Sequence, residues 1–168
     1  GAIDTRQNHG KLTDSCQGLL AHEDALFISG LGPNGLGVYR LTDQDQDGVL
    51  DTIKSVLKFS GKHQEHGPHG ITWGPDGKIY VMVGNHCQLP ITKEPAAGPY
   101  RHTYEGDLIR PRFEDPGGHA NGIKAPGGFV IRMDTNGNHV EIVAGGLRNA
   151  YDLAFNSSGE LFAHDSDM

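Results

Sequence analysis

The sequence has little that would direct it to nucleic acid or into a membrane. It has 14 Lys and Arg residues against 21 Asp and Glu residues, a formal net charge of −7, and no cluster of basic side chains. A protein that binds nucleic acid by neutralising phosphates needs such a cluster. No apolar run approaches the roughly 20 residues that span a bilayer. We therefore expect neither a nucleic-acid partner nor a membrane span in this segment.

Cysteine is also scarce, and no amphipathic helix of useful length is present. Cys16 and Cys87 are the only two cysteines, and they form neither a CxxC nor a CxxCH motif, which argues against a zinc ribbon and a covalently attached haem. A disulfide between them and two separate thiols are both open alternatives. The 25 glycines and 9 prolines are spread along the chain. This distribution is typical of turn-rich β structure.

Three segments repeat one pattern, in which an apolar strand, a turn and a second apolar strand follow each other. They are residues 18–29, 70–81 and 152–163. The turns 75–77 and 157–159 lie at matching offsets in the last two, which predicts hairpins. Further strands are predicted at 37–41, 53–59, 128–134 and 140–144. Four antiparallel strands per unit make up a propeller blade, so we expect an all-β chain of about three blades.

The interval between the second and third hairpins holds about thirty residues more than a blade repeat needs. These residues, about 88–124, are rich in Pro, Gly, His and charge. We interpret them as an insertion loop and a candidate lid over one face of the propeller. Three blades cannot close a ring. We therefore expect residues 1–168 to be part of one propeller domain, to lack its remaining blades and to aggregate when expressed alone.

An acidic run between two predicted strands resembles the start of an EF-hand calcium loop, because it reads D-x-D-x-D-G. Gly48 permits the sharp turn, but Lys54 stands at the twelfth position, where that loop has a bidentate Glu. We predict a structural Ca²⁺ site here, and an acidic, solvated loop is the alternative. The predicted ligands are Asp43, Asp45, Asp47, the backbone carbonyl of Val49, and Asp51.

A histidine-rich loop precedes the second hairpin and contains His63, Glu65, His66 and His69. The Gly67-Pro68 pair prevents the helix that would stack these imidazoles as zinc ligands, although a loop could still gather them. We favour a different interpretation, in which one imidazole points toward the propeller channel and takes a proton from a substrate hydroxyl. Exposed histidines without a role are the alternative.

A second polar motif, Gly145-Gly146-Leu147-Arg148-Asn149, precedes the third hairpin. Its two glycines predict a tight turn, after which the Arg148 guanidinium offers a planar fork to carboxylates or a quinone oxygen, and Asn149 adds a donor and an acceptor. An ordinary surface ion pair is the alternative role for Arg148. Asp165 and Asp167 follow one hairpin later, where they either bind a cation or face solvent.

Taken together, the run 66–81, Gly84-Asn85 and the Gly-Leu-Arg-Asn run at 146–149 resemble the soluble quinoprotein glucose/sorbosone dehydrogenases. The chain looks most similar to the large bacterial putative membrane-bound dehydrogenases that carry such a propeller, and the likeness covers roughly residue 18 to the end. The resemblance implies a fragment of a six-bladed β-propeller that uses pyrroloquinoline quinone (PQQ) and calcium. It also implies a periplasmic or extracellular location and makes a cytochrome c-type electron acceptor a candidate partner.

The resemblance also implies roles for particular residues. His66 stands where the family has the general base that takes the hydroxyl proton of a sugar or alcohol. Arg148 and Asn149 stand where the family contacts PQQ, the Arg steadying charge on the quinone. Asn85 stands where the family has an Asp that orients the base, and Glu65 matches an acidic neighbour. The calcium beside the family's quinone lies near or beyond the last residues here, so the loop 43–51 would be a separate site.

Three functions therefore remain as hypotheses. The first is a PQQ- and calcium-dependent sugar or alcohol dehydrogenase, in which hydride passes to the quinone. The second is a non-catalytic, calcium-braced propeller that binds carbohydrate or protein, and Asn85 favours it because an amide cannot stabilise an imidazolium as a carboxylate does. The third is a calcium-dependent lactonase-like hydrolase, which would need several carboxylates to converge on one channel ion.

Overall fold

The computed structural model describes residues 16–62, 65–89 and 127–165, and within these ranges the chain is all β, with no helix. Most of the predicted insertion loop, His63 and Asp167 lie outside the described residues. The strands in chain order are β1 (Gly18–His22), β2 (Ala25–Gly32), β3 (Gly35–Thr42), β4 (Thr52–Lys58), β5 (Ser60–Gly61), β6 (Pro68–Trp73), β7 (Ile79–Val83), β8 (Cys87–Gln88), β9 (Gly128–Met133), β10 (Glu141–Leu147), β11 (Asp152–Phe155) and β12 (Leu161–His164).

The strands form two four-stranded antiparallel sheets and two smaller pairs. Sheet 1 has the order β1-β2-β3-β4, and sheet 2 has the order β6-β7-β9-β10. Strands β11 and β12 form a hairpin, and β5 pairs with β8. The all-β class and the three repeated hairpins are thereby confirmed. Glycine permits the turns of the second and third hairpins, because Gly77 and Gly159 have φ values of 73° and 82°, which residues with a side chain disfavour.

The prediction of a tight turn at Gly145-Gly146 is wrong, because both glycines lie within β10. The pairing of β10 with β9 shifts register between Ile142 and Ala144, and again between Gly145 and Leu147. Each shift marks an irregularity of the β-bulge kind, where one strand holds an extra residue. Gly146 has a φ of 89°, a conformation that glycine adopts without the Cβ clash of other residues.

The core lies between stacked sheets, and side-chain alternation along β7 shows this directly. All five residues of β7 are buried. Ile79, Val81 and Val83 pack in the large cluster shared with sheet 1, whereas Tyr80 and Met82 pack in the cluster shared with β11 and β12. Because successive residues of a strand face opposite sides, a strand buried on both faces must be covered by a layer on each side.

The first strands of the three repeated hairpins are neighbours, since β6 contacts both β1 and β11. Two hydrogen bonds connect β6 to the neighbouring hairpins: the Gly70 N–H donates to the carbonyl of Tyr151, just before β11, at 2.8 Å, and the hydroxyl of Ser29 in β2 donates to the His69 carbonyl. Loops at the same end of these strands consequently come together.

Both cysteines are free, Cys16 exposed and Cys87 buried, so the disulfide alternative is not realised. Among the described residues, no helix is long and apolar enough to cross a membrane.

Candidate functional site

The candidate site lies at one end of sheet 2, where β6 begins and β7 ends. Because these strands are antiparallel, Pro68 pairs with Val83. His66 precedes β6 by two residues, and Asn85 follows β7 by two residues, so the pairing brings them side by side. The connection from β10 to β11 reaches the same end and carries Arg148 and Asn149. The structure therefore brings together all four residues that the sequence predicted for this site.

His66 is the most enclosed of the predicted residues, with 1% of its surface exposed. Its Nδ1 lies 2.6 Å from Asn85 Oδ1. An amide oxygen only accepts, so Nδ1 carries the proton and Nε2 of the neutral ring holds the lone pair. The ring of His86 stacks on it with 4.4 Å between ring centroids. These contacts fix the orientation and the tautomer of the imidazole.

The surroundings of His66 favour its neutral form. Burial lowers the pKa of His66 below its ordinary value; the hydrogen bond to Asn85 opposes this effect, and His86 and Arg148 add to the lowering. An uncharged imidazole whose Nε2 holds a lone pair is the form that accepts a proton.

His69, which the sequence placed in the histidine-rich loop without a role of its own, is a second buried imidazole. Its Nε2 lies 2.7 Å from Asn149 Oδ1, and its Nδ1 contacts Oε1 of Gln17. The ring of Tyr151 stacks on it with 4.2 Å between centroids. Burial lowers the pKa of His69, and the hydrogen bond to Asn149 opposes this. His69 thus connects residues that precede β1 and β11 to β6.

Arg148 and Asn149 are held through their backbone. Their N–H groups donate to the two carboxylate oxygens of Asp165, each at 2.8 Å, and the Arg148 carbonyl accepts from the Asn85 N–H at 3.0 Å. Asp165 was predicted to bind a cation or face solvent, and it caps this loop. The sequence contained a signal for it, because Asp165 directly follows β12, whose end lies beside the start of β11 in the hairpin.

Sequence reasoning gave no role to Gln17 or His86. Gln17 lies 52 residues from its partner His69, and no sequence motif predicts that these two residues meet. The geometry of the described histidines does not support their interpretation as zinc ligands. Within the described residues, the one group of His, Cys, Asp or Glu side chains with metal-binding spacing is elsewhere.

That group is the acidic loop between β3 and β4, where one ligand oxygen each from Asp43, Asp45 and Asp47 lie within 4.8 Å of one another. Asp43 Oδ2 accepts from the Gly48 N–H at 2.7 Å, and Asp51 Oδ1 accepts from the Gln44 N–H at 3.1 Å. A set of carboxylate oxygens suits a hard cation such as Ca²⁺. Sheet order places this loop at the end of sheet 1 opposite to Gln17 and thus away from the histidines.

Comparison with known proteins adds no family to these observations. No model of a protein family matches the chain, and no curated protein matches it.

Proposed function

We propose that this chain is part of a PQQ- and calcium-dependent dehydrogenase that oxidises hydroxyl groups of sugars or alcohols. One observation carries the proposal: a neutral imidazole, His66, is fixed through Nδ1 by Asn85 at 2.6 Å, with Arg148 close enough to lower its pKa. A fixed base beside a guanidinium suits removal of a hydroxyl proton next to an electron-rich acceptor.

The proposed scaffold is about three blades of a six-bladed β-propeller. Two four-stranded antiparallel sheets stack on one another, and the β11–β12 hairpin stacks as the beginning of a third. Strand β6 contacts β1 and β11, as the innermost strands of adjacent blades do. The candidate site then lies at one end of these inner strands, and the remaining blades complete the ring. A periplasmic or extracellular location and a cytochrome c-type electron acceptor belong to the same proposal.

In the proposed chemistry, His66 takes the hydroxyl proton of the substrate at Nε2, and the carbon that bore the hydroxyl becomes a carbonyl. PQQ, when bound, would be the oxidant that accepts the hydride from this carbon. Arg148 would hold the quinone oxygens and oppose their negative charge. Asn149 Oδ1 is bound to His69, which leaves its Nδ2 as the group that could donate to the cofactor. Asn85 keeps the base in the tautomer that presents Nε2.

A second candidate is a non-catalytic, calcium-braced propeller that binds carbohydrate or protein. Two observations favour it. His66 is 1% exposed, so a substrate reaches it only if the covering groups move. Asn85 is neutral, so the protonated ring would lack the carboxylate partner that stabilises an imidazolium.

Titration of the calcium-loaded, full-length protein with PQQ separates the two candidates. We expect saturable quinone binding, followed by bleaching when aldoses or alcohols are added, and loss of bleaching in His66→Ala. The exposed residue His139 is a control, and His139→Asn should bleach as the wild type does because Asn tolerates its positive φ. Absence of binding at micromolar PQQ would overturn the dehydrogenase and support the binding module.

We also propose that the loop 43–51 binds Ca²⁺ and braces the β3–β4 connection. The convergence of Asp43, Asp45 and Asp47 supports this assignment. Isothermal titration should show calcium binding that is lost in Asp45→Asn and kept in Asp24→Asn, which changes an exposed carboxylate in the β1–β2 turn. Calcium at 100 times its dissociation constant should add about 2.7 kcal/mol to the free energy of unfolding. If mixing with millimolar calcium gave no heat of binding and no change in melting temperature, the proposal that this loop binds Ca²⁺ would be wrong.

A further inference from the structure

The loop that carries Arg148 and Asn149 is connected by hydrogen bonds to both buried imidazoles. On one branch, His69 Nε2 lies 2.7 Å from Asn149 Oδ1. On the other branch, the Arg148 carbonyl accepts from the backbone N–H of Asn85, whose side chain holds His66 at 2.6 Å. A shift of this loop would therefore disturb the partners of both rings at once.

One carboxylate binds this loop at two consecutive backbone positions. The two oxygens of Asp165 accept from the consecutive N–H groups of Arg148 and Asn149, at 2.8 Å each. Hydrogen bonds to a carboxylate are roughly twice as strong as those between neutral groups, and two parallel bonds also fix direction. The hairpin geometry places Asp165 there, since it follows β12 directly where β11 begins.

We infer that Asp165 is a positioning residue, whose carboxylate clamps the Arg148-Asn149 backbone and thereby sets the orientation and tautomer of His66 and the hydrogen bonding of His69. The clamp itself follows from the contacts alone. Its importance for proton transfer rests on the proposed function, in which His66 Nε2 accepts the hydroxyl proton. An Asn at this position keeps the volume but offers one acceptor and a competing amino group, so one N–H would lose its partner.

Nitrogen-15 NMR of histidine-labelled, full-length protein tests the clamp without reference to activity. The ring signals of His66 and His69 are assigned by substituting each of the two residues singly with Gln. In the wild type we expect His66 in the Nδ1–H tautomer. In Asp165→Asn and Asp165→Ala, we expect the Nε2–H tautomer of His66 to appear and the His69 Nε2 signal to lose its hydrogen-bonded character. Glu160→Gln, the same charge change at the far end of the hairpin, should leave both rings unchanged.

A folded Asp165→Asn variant with wild-type ring signals would overturn the inference. If both variants fail to fold, the wild-type protein still tests the clamp. Scalar couplings from the Arg148 and Asn149 amide nitrogens to the Asp165 carboxylate carbon would show the two hydrogen bonds. Absence of these couplings would contradict the inference. The two proposals fail separately. Altered rings without PQQ-dependent bleaching would leave the clamp and remove the dehydrogenase, whereas PQQ-dependent bleaching with unaltered rings would do the reverse.

Discussion

At the scale of single residues, burial disfavours the protonated forms of His66 and His69 in the folded protein. The pKa of each is lowered, first by burial, while the unfolded chain has the ordinary value near 6.5. On acidification below about pH 6.5 the unfolded chain binds protons before the folded chain does. The free energy of unfolding therefore falls as the pH drops below about 6.5, whereas above that pH the stabilising contribution of the two neutral rings is fully present.

The first prediction is that this loss of stability is smaller in a variant without one of the two rings. Urea denaturation of His69→Gln between pH 8 and pH 5 should give a shallower fall in the free energy of unfolding than the wild type gives. His139→Asn removes an exposed imidazole and should keep the wild-type slope. Equal slopes in all three proteins would show that the buried rings are not the groups that titrate.

The second prediction concerns the partner of the base. Asn85→Asp puts a carboxylate at 2.6 Å from His66 Nδ1, and an opposite charge at this distance favours the imidazolium. We expect the pKa of His66 to rise. If His66 is the base, the rate of substrate oxidation at neutral pH should also rise. NMR titration of the ring measures the first effect, and an unchanged pKa would mean that Asn85 does not control the protonation of His66.

At the scale of elements, the turn after β7 is packed against the chain before β6 with no spare room. A Cβ added at Gly84 would lie 2.5 Å from the His66 carbonyl oxygen and 2.6 Å from its carbonyl carbon. The Gly84 N–H also donates to the Gly67 carbonyl at 2.8 Å. Backbone atoms cannot rotate away as the end of a side chain can, so the two segments would have to separate.

The third prediction is that Gly84→Ala destabilises the protein by about 1–3 kcal/mol, as overpacking does, and also moves the ring signals of His66. Gly35→Ala is the matched control. Its Cβ would meet nothing within 4 Å, and its φ of 97° gives a backbone strain of about 1–2 kcal/mol at a remote turn. Chemical denaturation measures the free energy of unfolding, and NMR measures the ring signals of His66. A similar loss of stability in both variants, with unchanged His66 signals, would show that this turn does not position the site.

The sequence predicted most of these elements because strand alternation and turn residues act locally. The hairpins and both outer strand pairs follow from patterns within about twenty residues. The contact of His66 with Asn85 is expected from the family resemblance instead. The β5–β8 pair is too short, at two residues per strand, to leave such a pattern. The register shifts in β10 also escaped prediction, because a bulge depends on the partner strand as well as on the glycines.

At the scale of the whole molecule, the sequence could not predict the contacts that connect different sheets. Gln17 and Asn149 meet the ring of His69 across 52 and 80 residues of sequence. No local pattern specifies such a meeting, because it exists only when β1, β6 and β11 lie side by side. The same stacking buries both faces of β7, whereas β12 pairs only with β11 among the described strands.

The last prediction follows from that difference between the middle and the end of the stack. Phe162 on β12 is 59% exposed, and β12 offers backbone groups that can pair with another strand. An apolar side chain on an unpaired edge favours association. We therefore expect residues 1–168, expressed alone, to self-associate, and Phe162→Lys to shift light scattering toward the monomer, while Phe162→Tyr keeps the ring and should associate as the wild type does. A soluble wild-type monomer with one sharp, cooperative melt would contradict this expectation and show that the stacked sheets are sufficient by themselves.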